Sequence, residues 1–343
     1  MNSPLSLRTA TVIAELAQLM KQSQRIWLWL HVAPDLDAVG ANMGMAAWIR
    51  HVNPACVVRL IGADQPRDNL LQVASAYDPD LYTQLDPADA PYAAGDAVIL
   101  VDVAEWGRCS HQRDFVLPAD IPWAVVDHHR VQSTAQIAYI DPTFQSAAAL
   151  VYQLSQQAGV VLPRAAWQGV VMGILGDSGF FRFRDTYLAD TLGIVQALVQ
   201  QHGIDAYYDL VDLLERNRPA SDFVIQGLYL ANLVVTPQYA YTYLTLAQMS
   251  AAALTFAQVR GMNGAMVIRN IDTTRFVFAV TERDHGVYSV SFRTCAGATL
   301  SIREFAEQLG GGGHPMAAAA EFRATDMQAA VAQVLTVVTA ALV

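Results

Sequence analysis

Residues 31–40 place one imidazole and two carboxylates in a short segment, directly after the apolar run 26–30. The three side chains are those of His31, Asp35 and Asp37. Imidazole nitrogens and carboxylate oxygens bind divalent cations, and paired cations are a common device for hydrolysing phosphate esters. An apolar run that ends in such residues is typical of a buried strand that delivers its carboxyl end to a site. The alternative is an ordinary strand-to-helix turn in which Asp37 caps the helix.

Two more apolar runs end in the same residue types. Asp102 ends one of them, and the run at 124–126 leads into Asp127, His128 and His129. Strands that alternate with helices form a mostly parallel sheet, whose carboxyl ends share one edge. A single such residue is commonly a cap, but three strand ends are unlikely to converge in this way by chance. We therefore predict a site at this edge.

The candidate ligands are two imidazoles and four carboxylates: His31, Asp35, Asp37, Asp102, His128 and Asp177. This set suits two divalent cations, with manganese or magnesium favoured over zinc, because carboxylates predominate and no thiolate takes part. We expect Asp102 to bridge the ions at a separation of about 4 Å. Such a pair lowers the pKa of a water and neutralises phosphate oxygens, which predicts hydrolysis of a phosphate ester.

Two residues beside these ligands are candidates for catalysis. His129 cannot easily share an ion with its neighbour His128, so we expect it to contact the scissile phosphate or to protonate the leaving oxygen. Asp127 would orient an imidazole from behind. For Asp177, which lies between two glycines after an apolar helix, the alternative is a plain helix C-cap and turn.

A glycine run near the C-terminus indicates a second site. Residues 310–313 are all glycine, His314 follows them, and Arg293 ends a hairpin predicted over 275–292. Glycine lets backbone amides approach an anion closely, so the run, His314 and a helix expected to start over 315–320 form a candidate phosphate cradle. The alternative is a flexible turn.

Length and composition predict two globular domains. The chain has 343 residues, which exceeds the usual single domain, and 53% of them are hydrophobic. The predicted fold class is α/β, with a mostly parallel N-terminal sheet that has helices on both faces, linked to a smaller α/β C-terminal domain with a mixed sheet. We place a catalytic domain at 1–200, a linker at 201–224 and a substrate-binding domain at 225–343.

Charge and cysteine content restrict the partners and the compartment. The net charge of −10 repels long nucleic acid, so a phosphate-bearing substrate should be small or held in a local cationic cleft. Three scattered cysteines fit a reducing cytoplasm. No signal peptide or membrane span is recognisable, so we expect a cytoplasmic protein that does not associate with membranes.

In order and spacing, these motifs resemble the DHH phosphoesterases over about residues 25–322. The shared motifs are the opening segment at 31–40, Asp102 with Arg108 after it, Asp127-His128-His129, the Gly-Asp-Ser-Gly sequence at 176–179, and the Gly-Gly-Gly-His sequence at 311–314. Two positions depart from the family pattern. Ala41 replaces a usual serine and Ala319 replaces a usual glycine. Neither is a metal ligand, so the departures bear on nucleotide preference only.

The resemblance implies a division of labour between the residues. One manganese ion would take His31, Asp35 and Asp102, and the other would take Asp37, Asp102, His128 and Asp177. The DHH-associated C-terminal domain would grip the substrate through Arg293, Gly312, Gly313 and His314. Arg108 would either aid phosphate binding or brace its loop.

The most similar branch hydrolyses short RNA or DNA oligonucleotides and 3′-phosphoadenosine 5′-phosphate (pAp) to mononucleotides, and its members are usually homodimers. Three alternatives stay open. The chain could be a cyclic or linear dinucleotide phosphodiesterase, a pyrophosphate or polyphosphate hydrolase, or a catalytically silent nucleotide sensor. A silent sensor should have lost ligands, and all six are present.

Overall fold

The structure is a computed structural model that describes residues 7–112, 114–183, 187–216, 218–260, 262–272, 274–295, 300–340 and 342, without the side chains of 257 and 260. It consists of two compact units, residues 1–217 and 218–343. The segment expected to be a linker, 201–224, contains a helix, a π-helical turn at Asp212–Arg216 and the start of a second helix.

The first unit contains a six-stranded sheet whose strands all run parallel. Its strands are β1 (Arg25–Trp29), β2 (Val57–Gly62), β3 (Tyr82–Gln84), β4 (Asp96–Val101), β5 (Trp123–Asp127) and β6 (Ile137–Ile140). Its helices are α1 (Leu7–Gln22), α2 (Leu36–Val52), α3 (Asp68–Tyr77), α4 (Ala147–Gln157), α5 (Arg164–Asp177), α6 (Leu188–His202) and α7 (Ile204–Val211). The prediction of a parallel α/β sheet is confirmed.

The order of the strands creates a switch point in the middle of the sheet. The order is β3-β2-β1-β4-β5-β6, so the chain builds outward from β1 in one direction and then restarts at β4 on its other side. In open sheets of this kind, ligands bind outside the carboxyl ends of the strands at the point where the order reverses. The fold therefore favours a site between the ends of β1 and β4.

The two faces of this sheet are covered differently. In β1, Ile26 and Leu28 belong to the core that the α-helices cover, whereas Trp27 and Trp29 belong to the core on the opposite face. The second core is closed mainly by residues from the segments 85–95 and 102–121 on either side of β4, whose described helical elements are the 3-10 turns Pro87–Asp89 and Trp106–Arg108. The sequence predicts helices on both faces of the sheet. The α-helices cover one face, and short 3-10 turns lie on the other.

Glycines let α2 and α5 approach each other closely. A Cβ atom at Gly40 would lie 2.1 Å from the Gly169 carbonyl oxygen, and a Cβ at Gly173 would lie 2.6 Å from Asp37 Oδ1. Real Cβ atoms do not tolerate such distances, so side chains at these positions would force the helices apart. This close contact sets the position of Asp37, in the first turn of α2.

The second unit contains a mixed six-stranded sheet in the order β11-β12-β10-β9-β8-β7. Its strands are β7 (Val234–Val235), β8 (Tyr239–Leu244), β9 (Phe276–Asp284), β10 (Val287–Thr294), β11 (Gly312–His314) and β12 (Ala317–Arg323). Its helices are α8 (Ala220–Ala231), α9 (Leu246–Ala251), α10 (Phe256–Arg260), α11 (Gly264–Ile268), α12 (Arg303–Gln308) and α13 (Met327–Ala340). Among the described strands of this unit, only β8 and β9 pair in parallel, so the mixed sheet is confirmed.

One local prediction in this unit is wrong. The alanine-rich segment after His314 does not start a helix, because Ala317–Arg323 is strand β12, which pairs antiparallel with β10. Its residues alternate between exposed and buried, and the buried ones pack into the core of the unit. Burial in the sheet outweighs the helix propensity of alanine here.

Two global observations complete the description. No helix among the described residues is both long enough and apolar enough to cross a membrane. Cys56, Cys109 and Cys295 are buried free thiols.

Candidate metal centre

The carboxyl ends of three neighbouring strands bring the predicted ligands together. His31 follows β1, Asp102 follows β4, and Asp127 ends β5. Three groups of potential ligand atoms lie there, and within each group the atoms are no more than 4.8 Å apart. The groups are His31, Asp35 and Asp102; Asp37, His128 and Asp177; and Asp102, Asp127, His128 and His129.

Asp102 lies at the centre of the cluster and faces a histidine with each of its oxygens. Its Oδ2 is 3.6 Å from His31 Nε2, and its Oδ1 is 3.3 Å from His128 Nε2. The residue is 3% exposed and has a φ of 67°, in the left-handed region. Aspartate tolerates that conformation better than most residues, and strained backbone of this kind is concentrated at functional sites.

Asp37 and Asp127 are the most deeply buried carboxylates of the cluster, each at 1% exposure. Both oxygens of Asp37 accept hydrogen bonds from the first turn of α4, from Ala147 N at 2.6 Å and Ala148 N at 2.9 Å. These amides orient the carboxylate and stabilise its charge through the helix N-terminus. The alternative in which Asp37 caps α2 is wrong, because the N-cap is Asp35, whose Oδ1 accepts from Asp37 N and Ala38 N.

His128 connects the buried carboxylates. Its Nε2 lies 3.3 Å from Asp177 Oδ2 and 3.8 Å from Asp37 Oδ2. Its Nδ1 lies 3.3 Å from the Phe144 carbonyl oxygen, to which it can donate, so Nε2 is the nitrogen available as a ligand. Asp177 is the last residue of α5, where the helix end turns its carboxylate toward the cluster.

The ring of His129 forms its hydrogen bond with a different residue from the ring of His128. Its Nδ1 donates to Asp127 Oδ1 at 2.8 Å, and its backbone N–H donates to the same oxygen at 3.1 Å. Because Asp127 is buried, its carboxylate is fixed in place and holds the His129 ring in one orientation. The hydrogen bond leaves Nε2 as the nitrogen that can accept from, or give a proton to, a reacting group.

The donor set fits divalent cations. Asp102 Oδ1 and His128 Nε2 are buried, face each other, and have no hydrogen-bond partner among the described residues. Buried polar atoms are normally satisfied, so two orphaned ligand-type atoms in one cluster indicate a missing partner of positive charge. The predominance of carboxylates favours hard ions such as manganese or magnesium.

Burial and the charges of neighbouring groups shift the pKa values within the cluster. Burial raises the pKa of Asp37 well above its ordinary value, and the charges of Asp102 and Asp177 raise it further. Burial also raises the pKa of Asp177, to about 7. For His31 and His128, burial lowers the pKa, but the neighbouring carboxylates, Asp102 first, outweigh it and raise both values to about 10.

The loop that carries His31 is braced by Arg108 and by two residues that the sequence did not single out, Asp64 and His111. Ala33 has a φ of 56°, and its N–H donates to Asp64 Oδ2 at 2.8 Å, while Asp64 Oδ1 is 2.9 Å from His111 Nε2. The Val32 N–H donates to the Arg108 carbonyl oxygen at 2.7 Å. Arg108 thus braces this loop through its backbone, and its side chain is exposed. Nothing in the local sequence marks Asp64 for this role.

The predicted substrate residues lie in the second unit. Arg293 on β10, Ala317 on β12 and His314 on β11 are in register, so they form one row across the sheet. Burial lowers the pKa of Arg293, and the nearby charge of Arg269 lowers it further. Arg269 and Arg293 therefore lie close enough for their like charges to interact. Sequence reasoning missed Arg269, which lies just after α11.

Two of the four glycines in the run, Gly311 and Gly313, are required by close packing, whereas a Cβ at Gly310 would meet nothing within 4 Å. A Cβ at Gly311 would lie 2.1 Å from the Ala319 carbonyl oxygen, and one at Gly313 would lie 2.6 Å from the Ala317 carbonyl oxygen. Gly313 also has a φ of 141°. A Cβ at Gly312, in contrast, would meet nothing within 4 Å. Close packing on β12 therefore explains Gly311 and Gly313, whereas Gly312 leaves its backbone accessible.

A parallel sheet with acidic and imidazole ligands at its switch point, joined to a second unit with a mixed sheet, defines a metal-dependent hydrolase of the phosphoesterase class. The family comparison agrees with this assignment. Residues 25–174 match the DHH family, N-terminal domain, and residues 237–340 match the DHHA1 domain. The chain belongs to the DHH family of phosphoesterases.

Relatives extend over most of the chain. The bifunctional oligoribonuclease and PAP phosphatase NrnA of Bacillus subtilis (strain 168) is 26% identical over 319 residues, which cover 91% of this chain and 94% of the relative. A probable manganese-dependent inorganic pyrophosphatase of Lactococcus lactis is 25% identical, over 49% of this chain and 53% of the relative. An exopolyphosphatase-related protein from Bacteroides fragilis shares the fold, with a TM-score of 0.85, 20% identity, and coverage of 99% and 98% of the two chains.

Proposed function

We propose that this protein is a two-metal, manganese-dependent phosphoesterase that hydrolyses short oligonucleotides and pAp to mononucleotides. The observation that carries the proposal is the position of Asp102, whose two oxygens face His31 on one side and His128 on the other. A carboxylate so placed can bridge two ions. The NrnA relative, which covers nearly the same length, supports the choice of substrate.

Two of the ligand groups support a distribution of residues over two ions. His31, Asp35 and Asp102 would hold one, and Asp37, His128 and Asp177 would hold the other. Asp102 would also serve the second ion, because its Oδ1 lies 3.3 Å from His128 Nε2. Ions bound there would polarise the phosphate oxygens and lower the pKa of an attacking water. The amides of α4 that hold Asp37 and the cap that holds Asp35 keep these carboxylates in place before any ligand arrives. This preorganisation reduces the reorganisation needed during the reaction.

His129 would act on the reacting phosphate. Its Nδ1 is held by Asp127, and the ring lies 4.4 Å from the ring of His128, measured between centroids. From there its Nε2 can contact a phosphate oxygen or protonate the leaving oxygen. The pKa of Asp127 is lowered because the hydrogen bond and charge of His129 outweigh its burial, so Asp127 remains a carboxylate that can stabilise an imidazolium.

The row on the second sheet would bind another phosphate of the substrate. Arg293, together with Arg269, supplies positive charge for a phosphate, and the Gly312 backbone and His314 lie at the same edge of that sheet. Ala317 and Ala319 have only methyl side chains, so the surface of the sheet beside these groups is shallow. We further propose that the protein is a homodimer, with a mass twice the 37.3 kDa of one chain.

A substrate panel tests the proposal. Hydrolysis of pApA, pAp, cyclic dinucleotide and pyrophosphate would be measured side by side with manganese. We expect the linear oligonucleotide and pAp to have the highest kcat/KM. A preference for pyrophosphate would overturn the substrate assignment and leave the two-metal site intact. No manganese-dependent hydrolysis of any of them would overturn both.

A further inference from the structure

A cleft of about 610 Å³ lies next to the metal cluster, between the end of β5 and strand β6. His129 lines it, and Arg8 and Arg130 form its charged wall. We call it the β5–β6 cleft. Its volume is within the range of small-molecule sites. Because His129 also belongs to the ligand group of Asp102, the cleft begins at the place where the reacting phosphate is proposed to bind.

Among the described residues of this unit, some arginines are neutralised by a carboxylate, and others, including the two of the cleft, are not. Arg25, Arg50 and Arg164 each form an ion pair with an aspartate. Neither Arg8 nor Arg130 has a carboxylate partner within the described part of the chain. In a protein with a net charge of −10, two unneutralised guanidinium groups on one cleft create a local attraction for anions.

Arg8 is held in position by the strand that it covers. Its guanidinium carbon lies 5.4 Å from the centroid of the Tyr139 ring, and Tyr139 OH is 3.1 Å from Thr9 Oγ1. These contacts attach the start of α1 to β6. A guanidinium stacked on an aromatic ring loses less freedom when it binds a phosphate than a fully mobile one does.

The other walls of the cleft suit the rest of a nucleotide. Val131 and Ile140 supply apolar surface, and Gln132 and Ser133 supply hydrogen-bonding groups. Guanidinium groups match the geometry of phosphate oxygens, so the combination of charge, apolar wall and amide is what a nucleotide unit needs. The metal cluster itself would bind only the phosphate that is cleaved.

We propose that the β5–β6 cleft binds the nucleotide unit adjacent to the cleaved bond of an oligonucleotide, with Arg8 and Arg130 holding an uncleaved phosphodiester. The inference rests on the proposed function, because it assumes that an oligonucleotide is the substrate. It predicts that the enzyme gains affinity from a phosphate next to the reacting one, and that this gain depends on these two arginines.

The test compares a trinucleotide with an ester that has a single phosphate. The variant R8A/R130A would be assayed with pApApA and with bis(4-nitrophenyl) phosphate. We expect kcat/KM for the trinucleotide to fall about 100-fold, with a loss at least tenfold smaller for the ester. The dependence of log KM on log salt for the trinucleotide should become shallower by about 0.7 per arginine.

Two control variants separate charge from structure. Lys21→Ala removes one positive charge from the last turn of the same helix, away from the cleft, and should change kcat/KM for the trinucleotide less than twofold. R8K/R130K should retain more trinucleotide activity than R8A/R130A, because lysine keeps the point charge. Equal losses on both substrates, or no loss on either, would overturn the cleft assignment.

A binding measurement without turnover keeps this inference separate from the proposed function. A fluorescent tetranucleotide would be titrated in EDTA, where no metal-dependent hydrolysis occurs. We expect the unsubstituted protein to bind it at least tenfold more tightly than R8A/R130A does. Equal binding by the two, or no binding by either, would contradict the cleft even if hydrolysis of oligonucleotides is confirmed. Conversely, a failure of hydrolysis with arginine-dependent binding intact would contradict only the proposed function.

Discussion

At the scale of single residues, the centre depends on how a few buried side chains are held. Asp102 faces two histidines, Asp37 accepts two backbone amides, and Asp127 holds His129. Each of these contacts fixes the orientation of a side chain as well as its position. Residues that would bind an ion can therefore be distinguished from residues that would act on the substrate.

His129 and Asp127 should behave as one unit in catalysis. We expect His129→Ala to lower kcat about 100- to 1,000-fold at unchanged manganese content, because it removes the proton donor and not a ligand. Asp127→Asn should lower kcat by about tenfold, and the double variant should be no worse than His129→Ala, since Asp127 acts through the ring. Steady-state kinetics and metal analysis measure this. Loss of manganese from His129→Ala would mean that His129 is a ligand.

Metal binding should release protons. With pKa values of about 10, His31 and His128 are imidazolium groups at pH 7.5 in the metal-free protein, yet only neutral imidazole binds a cation. Manganese affinity should therefore rise as the pH increases through this range. Calorimetric titrations in buffers with different ionisation enthalpies count the protons. A binding enthalpy independent of the buffer would contradict the protonated state.

At the scale of elements, the close contact between α2 and α5 positions the site. A Cβ at Gly173 would lie 2.6 Å from both Asp37 Oδ1 and Ala148 Cβ, so it would collide with a ligand and with the helix that orients that ligand. This contact is therefore where packing and chemistry depend on the same atoms.

Gly173→Ala should damage stability and activity together. We expect a loss of about 2 kcal/mol in the free energy of unfolding through overpacking, and at least a tenfold loss in kcat/KM because Asp37 must move. The matched control is Gly193→Ala on α6, where a Cβ would meet nothing within 4 Å. It should raise stability by about 0.5–1 kcal/mol. Denaturant unfolding and kinetics compare the two. Equal effects would show that helix propensity alone matters.

Much of the first unit could be predicted because its strands are strong apolar runs that end in polar residues. The edge strand β3 escaped prediction because it is short and polar, and β6 because it is short and only partly buried. The alanines of β12 favour a helix locally and become a strand only through pairing with β10. Asp64 and Arg269 could not be found, since their roles depend on residues distant in sequence.

At the scale of the whole molecule, the two units divide the proposed work. The described ligand clusters lie in the first unit, and the paired arginines of β10 and the loop after α11 lie in the second. If the second unit binds substrate and does not hold metal, substitutions in it should lower substrate affinity without changing the manganese content.

His314→Ala tests this division. We expect KM for pAp to rise about tenfold, at unchanged manganese stoichiometry and with kcat much less affected, because the change removes a contact to substrate. His285→Ala, in the exposed turn between β9 and β10, is the control and should leave KM unchanged. Kinetics and metal analysis of both variants provide the comparison. An unchanged KM in His314→Ala would remove this residue from the binding site.

The most direct test of the central claim is anomalous diffraction at the manganese edge from crystals grown with Mn²⁺. The account predicts two peaks per chain, one contacted by His31 and Asp35, the other by Asp37, His128 and Asp177, with Asp102 contacting both. No peak at the ends of β1 and β4, or a single ion that Asp102 does not contact, would contradict it.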